Sequence, residues 1–170
     1  MLNVELIALA RAIHVMAGVA WAGAMFVLAG VIMPIAIGHG AEGAGRWTGM
    51  ISRRLGLMSS ISALFTILSG IYLFAVLHAN DSSAGGMVLK TGAVAALLSL
   101  AVGVLVGRPA GLQLAKLSEQ KSPTAVPAPD VLQQLSALRK RAVLSSRLTA
   151  ALLGIAVLSM AVFRYAQTMA

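Results

Sequence analysis

The sequence contains no cysteine, and acidic and aromatic residues are scarce. Its 170 residues include 5 Asp and Glu against 13 Lys and Arg, and aromatic side chains make up 5%. Because there are no thiols, the chain cannot form disulfides or thiolate metal sites and cannot carry out thiol redox chemistry. No carboxylate pair, nucleophile–base arrangement or phosphate loop supports hydrolysis or phosphoryl transfer. Because the basic residues are not interleaved with aromatic ones, we expect no nucleic acid as a partner.

Charged residues are also few. They make up 11% of the chain, whereas 59% is hydrophobic and the mean hydropathy is +0.90. Soluble domains carry about 25% charged residues. The chain has too little polar surface to cover itself in water, so the sequence predicts a membrane protein of one domain (1–170) with the lipid bilayer as its partner.

Four charge-poor intervals are long enough to cross a hydrocarbon core of about 30 Å. They predict an all-α fold, an antiparallel bundle of four transmembrane helices at about 4–37, 57–78, 86–108 and 143–165. Pro34 should kink the first helix or end its regular part. The Pro-rich stretch 122–130 reads as a solvated linker. An amphipathic helix starting at Val131, with Asp130 as its N-cap, is expected to lie on the membrane surface before the fourth span.

The basic residues predict the orientation. Ten lie in the loop between helices one and two and in the connection around helices three and four, whereas three lie at the opposite side. This positive-inside bias predicts a multi-pass protein of a bacterial inner membrane with both termini on the outer side. The first apolar run has no basic n-region, so we expect it to remain as a helix and not be removed as a signal peptide.

His14 lies within the first charge-free interval, and ionisable residues inside membrane helices usually mark functional sites. Steps of three and four residues place it on one helix face with Arg11, Gly18, Trp21 and Met25. Gly18 should leave a gap beside the imidazole for a planar ligand or a neighbouring backbone. The alternative is that His14 only donates a hydrogen bond to a carbonyl group of another helix.

Three further residues, Lys90, His78 and His39, could carry charge or bind a ligand. Lys90 could be paired inside the bundle, or its side chain could extend to the outer surface. His78, at the outer end of helix two, could be a second haem or metal ligand, or a solvated helix-end histidine. His39 is expected in the opposite loop, away from the other two histidines. The nine methionines are scattered, which is more typical of packing than of a copper site.

Short motifs along most of the chain resemble two related membrane families. Arg11-x-x-His14 followed by Trp21-x-Gly23 is similar to the first helix of the copper-resistance protein D (CopD) family and its four-helix relatives, and of the HemJ-type protoporphyrinogen oxidases. The segments that resemble the CopD group are Leu68–Tyr72, Leu138–Arg141 with Arg147, and Met160–Tyr165.

The HemJ resemblance implies b-type haem, with His14 and Lys90 at the positions of a first-helix histidine and a third-helix lysine. The CopD resemblance implies movement of copper across the inner membrane. The chain lacks the Asn-Glu-x-Pro feature of the oxidases, and His39 lies about one turn further from Trp21 than in them. Protoporphyrinogen oxidation is therefore not the leading expectation.

Three hypotheses follow from the sequence. The first is a haem b protein for redox or electron transfer, with His14 as axial ligand, Lys90 or Arg11 pairing with a propionate, and His78 as a further candidate ligand. The second is copper transport or delivery, with His14 as the metal ligand together with nearby methionines. The third is an anchor subunit for a periplasmic or membrane redox partner, without cofactor. The GxxxG spacing of Gly103 and Gly107 allows a homodimer or packing within one chain.

Overall fold

The computed structural model describes residues 2–38, 45–119 and 129–168. Regular structure in these ranges is entirely helical. The helices are α1 (Leu2–Val27), α2 (Met33–Gly38), α3 (Gly45–Leu77), α4 (Ala84–Val102), α5 (Arg108–Glu119) and α6 (Pro129–Thr168). A π-helical turn at Leu28–Ile32 joins α1 to α2, and another at Gly103–Gly107 joins α4 to α5. The chain therefore forms four long helical rods, and the prediction of an all-α fold is confirmed.

Each rod contains a helix that is long and apolar enough to cross a membrane. The four candidate spans are Asn3–Ile35, Met50–Leu77, Ala84–Leu117 and Pro129–Ala166. Two helices start earlier than the sequence predicted. The helix that contains the second predicted span, α3, begins at Gly45. The helix of the fourth span, α6, runs unbroken from Pro129 through the segment expected on the membrane surface. That segment is part of α6 because its apolar stripe packs against α5, and this contact buries Leu138 of α6 and Ala110 of α5. The predicted loop and linker at 39–44 and 120–128 lie outside the described residues.

Both π turns end two residues before a proline. Pro34 follows Leu28–Ile32, and Pro109 follows Gly103–Gly107. Proline has no N–H, and its ring clashes with the carbonyl of the residue four positions earlier. In the wider turn, the N–H of the residue before each proline bonds the carbonyl five positions earlier. The prolines therefore widen the helices locally and do not end them.

The rods pair as two helical hairpins. The first helix, α1, packs along α3, and α4 packs along α6, while smaller contacts between α1 and α6 join the hairpins. Trp21 and Met25 of α1 form the centre of the core with Leu153 of α6, Ala63 of α3 and small residues of α4. The indole of Trp21 therefore lies where the two hairpins meet.

The residues between the helices are small, and the large ones face outward. Of the 15 buried apolar residues in the described part, 11 are alanine, and every buried polar residue is serine or threonine. Large side chains such as Met16 (72% exposed) and Leu105 (73% exposed) cover the outside. Small residues allow close approach of helices in lipid, where no hydrophobic effect drives them together. The distribution is that of a multi-pass membrane protein.

One hairpin is longer than a bilayer is thick. The 40 residues of α6 extend over about 60 Å at 1.5 Å per residue, about twice a hydrocarbon core of roughly 30 Å. The first part of α6 packs on α5. The register is fixed by Gly107, where a Cβ would lie 2.7 Å from Ser145 Oγ. Gly107 therefore serves packing within the chain, whereas Gly103 has no neighbour within 4 Å of such a Cβ.

Candidate functional site: a histidine between α1 and α3

His14 is held against α3 by its side chain. Its Nδ1 lies 2.9 Å from the carbonyl oxygen of Thr66 and 3.3 Å from the hydroxyl oxygen of Ser69. A carbonyl oxygen only accepts hydrogen bonds, so Nδ1 carries the hydrogen and donates it. The ring is half-buried. The Thr66 bond therefore selects one tautomer, in which the neutral ring keeps its lone pair on Nε2.

The Ser69 hydroxyl supports the same arrangement. Its own hydrogen can be donated to the carbonyl of Phe65, at 2.5 Å, or to that of Thr66, at 3.2 Å. Either choice leaves the hydroxyl lone pairs available to the Nδ1–H group. The Nε2 atom, in contrast, makes no hydrogen bond to any residue that the structure describes.

Gly70 makes room for the imidazole. A Cβ at this position would lie 2.8 Å from Cε1 and 3.2 Å from Nδ1 of His14. Carbon atoms in contact are about 3.5–4.0 Å apart, so only glycine permits this approach. At Gly18, in contrast, a Cβ would lie at an ordinary van der Waals distance, 3.7 Å, from the Thr66 methyl group, so the gap there has room for little more than one methyl group. The close backbone approach therefore comes from α3 and not from α1.

Most of the residues that were predicted to lie on the inward face of α1 do face the bundle. Trp21 and Met25 are buried, and Gly18 and His14 are half-buried against α3. Arg11 is exposed and makes no ion pair with the described residues. One turn before His14, the inward face is therefore formed by the buried Ala10 and not by Arg11.

Lys90 and His78 meet at another centre, the turn between α3 and α4. Lys90 Nζ donates to the Asp81 carbonyl oxygen at 2.8 Å, and His78 Nδ1 lies 3.4 Å from Asp81 Oδ2. The His78 ring also packs perpendicular to the Phe163 ring of α6, with centroids 5.8 Å apart. Lys90 is exposed, so its side chain extends to the turn. His39 lies outside the described residues.

Asp81 organises this turn. Its Oδ1 accepts hydrogen bonds from Ser83 Oγ at 2.6 Å and Ser83 N at 3.0 Å. These bonds, the side-chain one first, hold the pKa of the Asp81 carboxyl below its ordinary value. Ser83 in turn caps α4 by accepting from Gly86 N. The polar contacts of this turn therefore connect the end of α3 to the start of α4, and the His78 ring connects both to α6.

An apolar groove opens beside His14 on the outer surface of the α1–α3 pair. Its volume is about 360 Å³. It is lined by Leu6, Leu9, Ala10, Ile13, Phe65, Leu68, Ser69 and Tyr72. Ser69 belongs both to this groove and to the contact with His14. Within the described residues, no three His, Asp or Glu side chains converge as a metal site.

No family model, curated protein or solved structure matches the chain. The resemblance to the CopD and HemJ-type families therefore stays a prediction from short motifs.

Three residues of the site were not singled out as His14 partners from the sequence: Thr66, Ser69 and Gly70. Ser69 and Gly70 lie in the Leu68–Tyr72 motif, and steps of three and four residues place all three on one helix face. That spacing marks a polar, narrow strip on α3. Their register against His14 depends on how the two helices pack.

Proposed function

We propose that the protein is a membrane haem b protein for redox or electron transfer, with His14 as axial ligand. The observation that carries the proposal is the hydrogen bond from His14 Nδ1 to the Thr66 carbonyl, together with an Nε2 atom that has no partner among the described residues. Histidines that bind a metal usually donate their other ring N–H to a carbonyl or carboxylate, which orients the ring and raises its basicity.

The imidazole fits this role because three features of α3 restrain it. Thr66 and Ser69 fix the orientation of Nδ1, and Gly70 lies against the ring. An imidazole that served only to bond two helices would leave Nε2 without a partner among the described residues, and an acceptor that is removed from water without a partner costs about 1–3 kcal/mol. Serine or asparagine could make the helix contact without a ring of this size.

The other candidates fit less directly. Lys90 and His78 are engaged at Asp81, so a role on the cofactor would require them to exchange those contacts. Arg11, exposed and one turn before His14, is free of ion pairs with described residues and is the better candidate for a propionate. Haem b, when bound, supplies one-electron transfer. The protein residues would orient the ligand and exclude water.

A second candidate function, a cofactor-free membrane anchor subunit, is favoured by the same Thr66 bond. A histidine that only connects α1 to α3 would make this contact too. The two functions differ in what Nε2 does. Copper delivery, the remaining alternative, would also use His14 but needs further ligands.

The deciding experiment is a visible spectrum of the purified protein, oxidised and dithionite-reduced, after haem-supplemented expression. We expect a sharpened α band and a shifted Soret band on reduction. His14→Ala should lose them, and His39→Ala should keep them. A colourless wild-type protein would overturn the haem proposal. Metal analysis of the same sample would then separate copper delivery from the anchor function.

A further inference from the structure

The end of the bundle opposite the 78–83 turn carries a ring of exposed basic side chains. Arg108 of α5 and Arg139, Lys140, Arg141 and Arg147 of α6 are all exposed. We call these five residues the basic ring. Arg53 and Arg54 of α3, also exposed, lie at the same end.

The charges of the ring are not compensated within the described part of the chain. None of the five makes an ion pair or a side-chain hydrogen bond there. The ion pair that the structure does record, between His78 and Asp81, lies at the other end. The ring is therefore available to ions, lipid or a partner.

The ring covers the whole exposed side of α6 and does not form a stripe. Successive residues of a helix are rotated by about 100°, so Arg139, Lys140 and Arg141 span about 200° of the circumference, and Arg147 falls between the first two. The remaining sector is formed by Leu138, Ala142 and Ser145, which are buried. Every side of α6 that is not packed thus carries a cation.

The members of the ring also lie within one layer of the bundle. Positions 139 to 147 cover about 12 Å along α6. Arg108 follows Gly107, which packs on Ser145, and so falls within the same layer. Beyond this layer, toward the middle of the bundle, the intervals 91–107 and 148–163 contain no charged residue. The ring therefore marks the level at which the hydrocarbon core ends.

We propose that the basic ring binds the phosphate groups of anionic phospholipids in the leaflet at this end of the bundle. Lipid headgroups form a layer perpendicular to the helices, and such a layer can contact cations on all open sides of a rod at one height. A soluble partner docks on one face and would leave the cations on the other sides unpaired. Headgroup attraction contributes a favourable free energy for each basic residue near an anionic surface.

The test uses the full chain in phosphatidylcholine vesicles that contain spin-labelled phosphatidylglycerol or spin-labelled phosphatidylcholine. The motionally restricted spectral component gives the relative association constant of the two lipids. We expect a preference for phosphatidylglycerol that weakens as salt is raised. The pair R139Q/R141Q should lower that preference, by up to about fivefold for each arginine removed at low salt.

Two control variants make the result specific. R139K/R141K keeps the charges and should keep the preference, which also shows that the ring can be altered without unfolding. R11Q/R164Q removes two charges from the opposite end of the bundle and should leave the preference for phosphatidylglycerol that the basic ring produces. The proposal is overturned if the wild type shows no preference, or if R139Q/R141Q and R139K/R141K behave alike. Capture of soluble polyglutamate without a lipid preference would assign the ring to an acidic protein instead.

Discussion

Gly70→Ala provides the sharpest test of the contact between His14 and α3. The new Cβ would lie 2.8 Å from Cε1 and 3.2 Å from Nδ1 of the imidazole. The ring cannot retreat while Nδ1 stays 2.9 Å from the Thr66 carbonyl. The substitution must therefore break this hydrogen bond or separate the two helices.

The magnitude follows from two opposing effects. Overpacking a close contact costs about 1–3 kcal/mol, while replacing glycine by alanine within a helix gains about 0.5–1 kcal/mol. We expect Gly70→Ala to lower the free energy of unfolding by about 1–2 kcal/mol. Gly23→Ala is the matched control, because nothing lies within 4 Å of its Cβ position, and it should be neutral or stabilising.

The assay is reversible unfolding of the purified protein in mixed detergent micelles, arranged as a double-mutant cycle with His14→Ala. Without the imidazole the clash disappears, so the loss caused by Gly70→Ala should vanish in the His14→Ala background. We expect a coupling free energy of about 1–3 kcal/mol. If Gly70→Ala is as stable as Gly23→Ala, or is equally harmful without His14, the ring does not lie against Gly70.

The remaining predictions concern the second hairpin and the turn between α3 and α4. Gly92→Ala should lower the free energy of unfolding by about 1–2 kcal/mol, because its Cβ would lie 2.7 Å from a serine Cβ of α6. Gly103→Ala, whose Cβ would have no neighbour within 4 Å, should not lower it, and equal stabilities of the two variants would contradict this packing. The buried Thr149 hydroxyl has no hydrogen-bond partner among the described residues, so Thr149→Val should stabilise by about 1 kcal/mol, and Ser99→Ala, which loses a bond to the Thr149 carbonyl, should destabilise by a similar amount. Because the folded state lowers the pKa of Asp81, this carboxyl stabilises the turn at pH values above its ordinary pKa of 3.8, and the contribution is lost as pH falls through the lower folded-state pKa. Asp81→Asn should therefore reduce the loss of unfolding free energy that is measured between pH 6 and pH 2. An unchanged loss would refute the role of this carboxyl.

The sequence predicted the four spans because the signal is local. A run of about 20 residues without charge can be recognised without knowing what it packs against. The ends of α3 and α6 were harder to predict, because polar and basic residues continue a helix when a neighbouring helix covers one side. For α6, the cover is provided by α5, at Leu138 and Ala110.

The candidate site divides in the same way. His14 could be found from its position in a charge-free run. The prediction that its side of α1 faces the bundle was correct from His14 to Met25. Lys90 and His78 lie near the predicted outer end too. However, the short turn brings both to Asp81, and a contact of this kind depends on side-chain reach that spacing does not reveal.

By itself, the sequence determined the all-α class, the number of spans and the isolated histidine, since each depends on composition or periodicity along one helix. The tertiary structure decided what the histidine contacts. The pairing of α1 with α3 places Nδ1 on the Thr66 carbonyl and the ring on Gly70. That pairing depends on how small residues of two helices interlock, which is a property of both surfaces together and is not encoded in either helix alone.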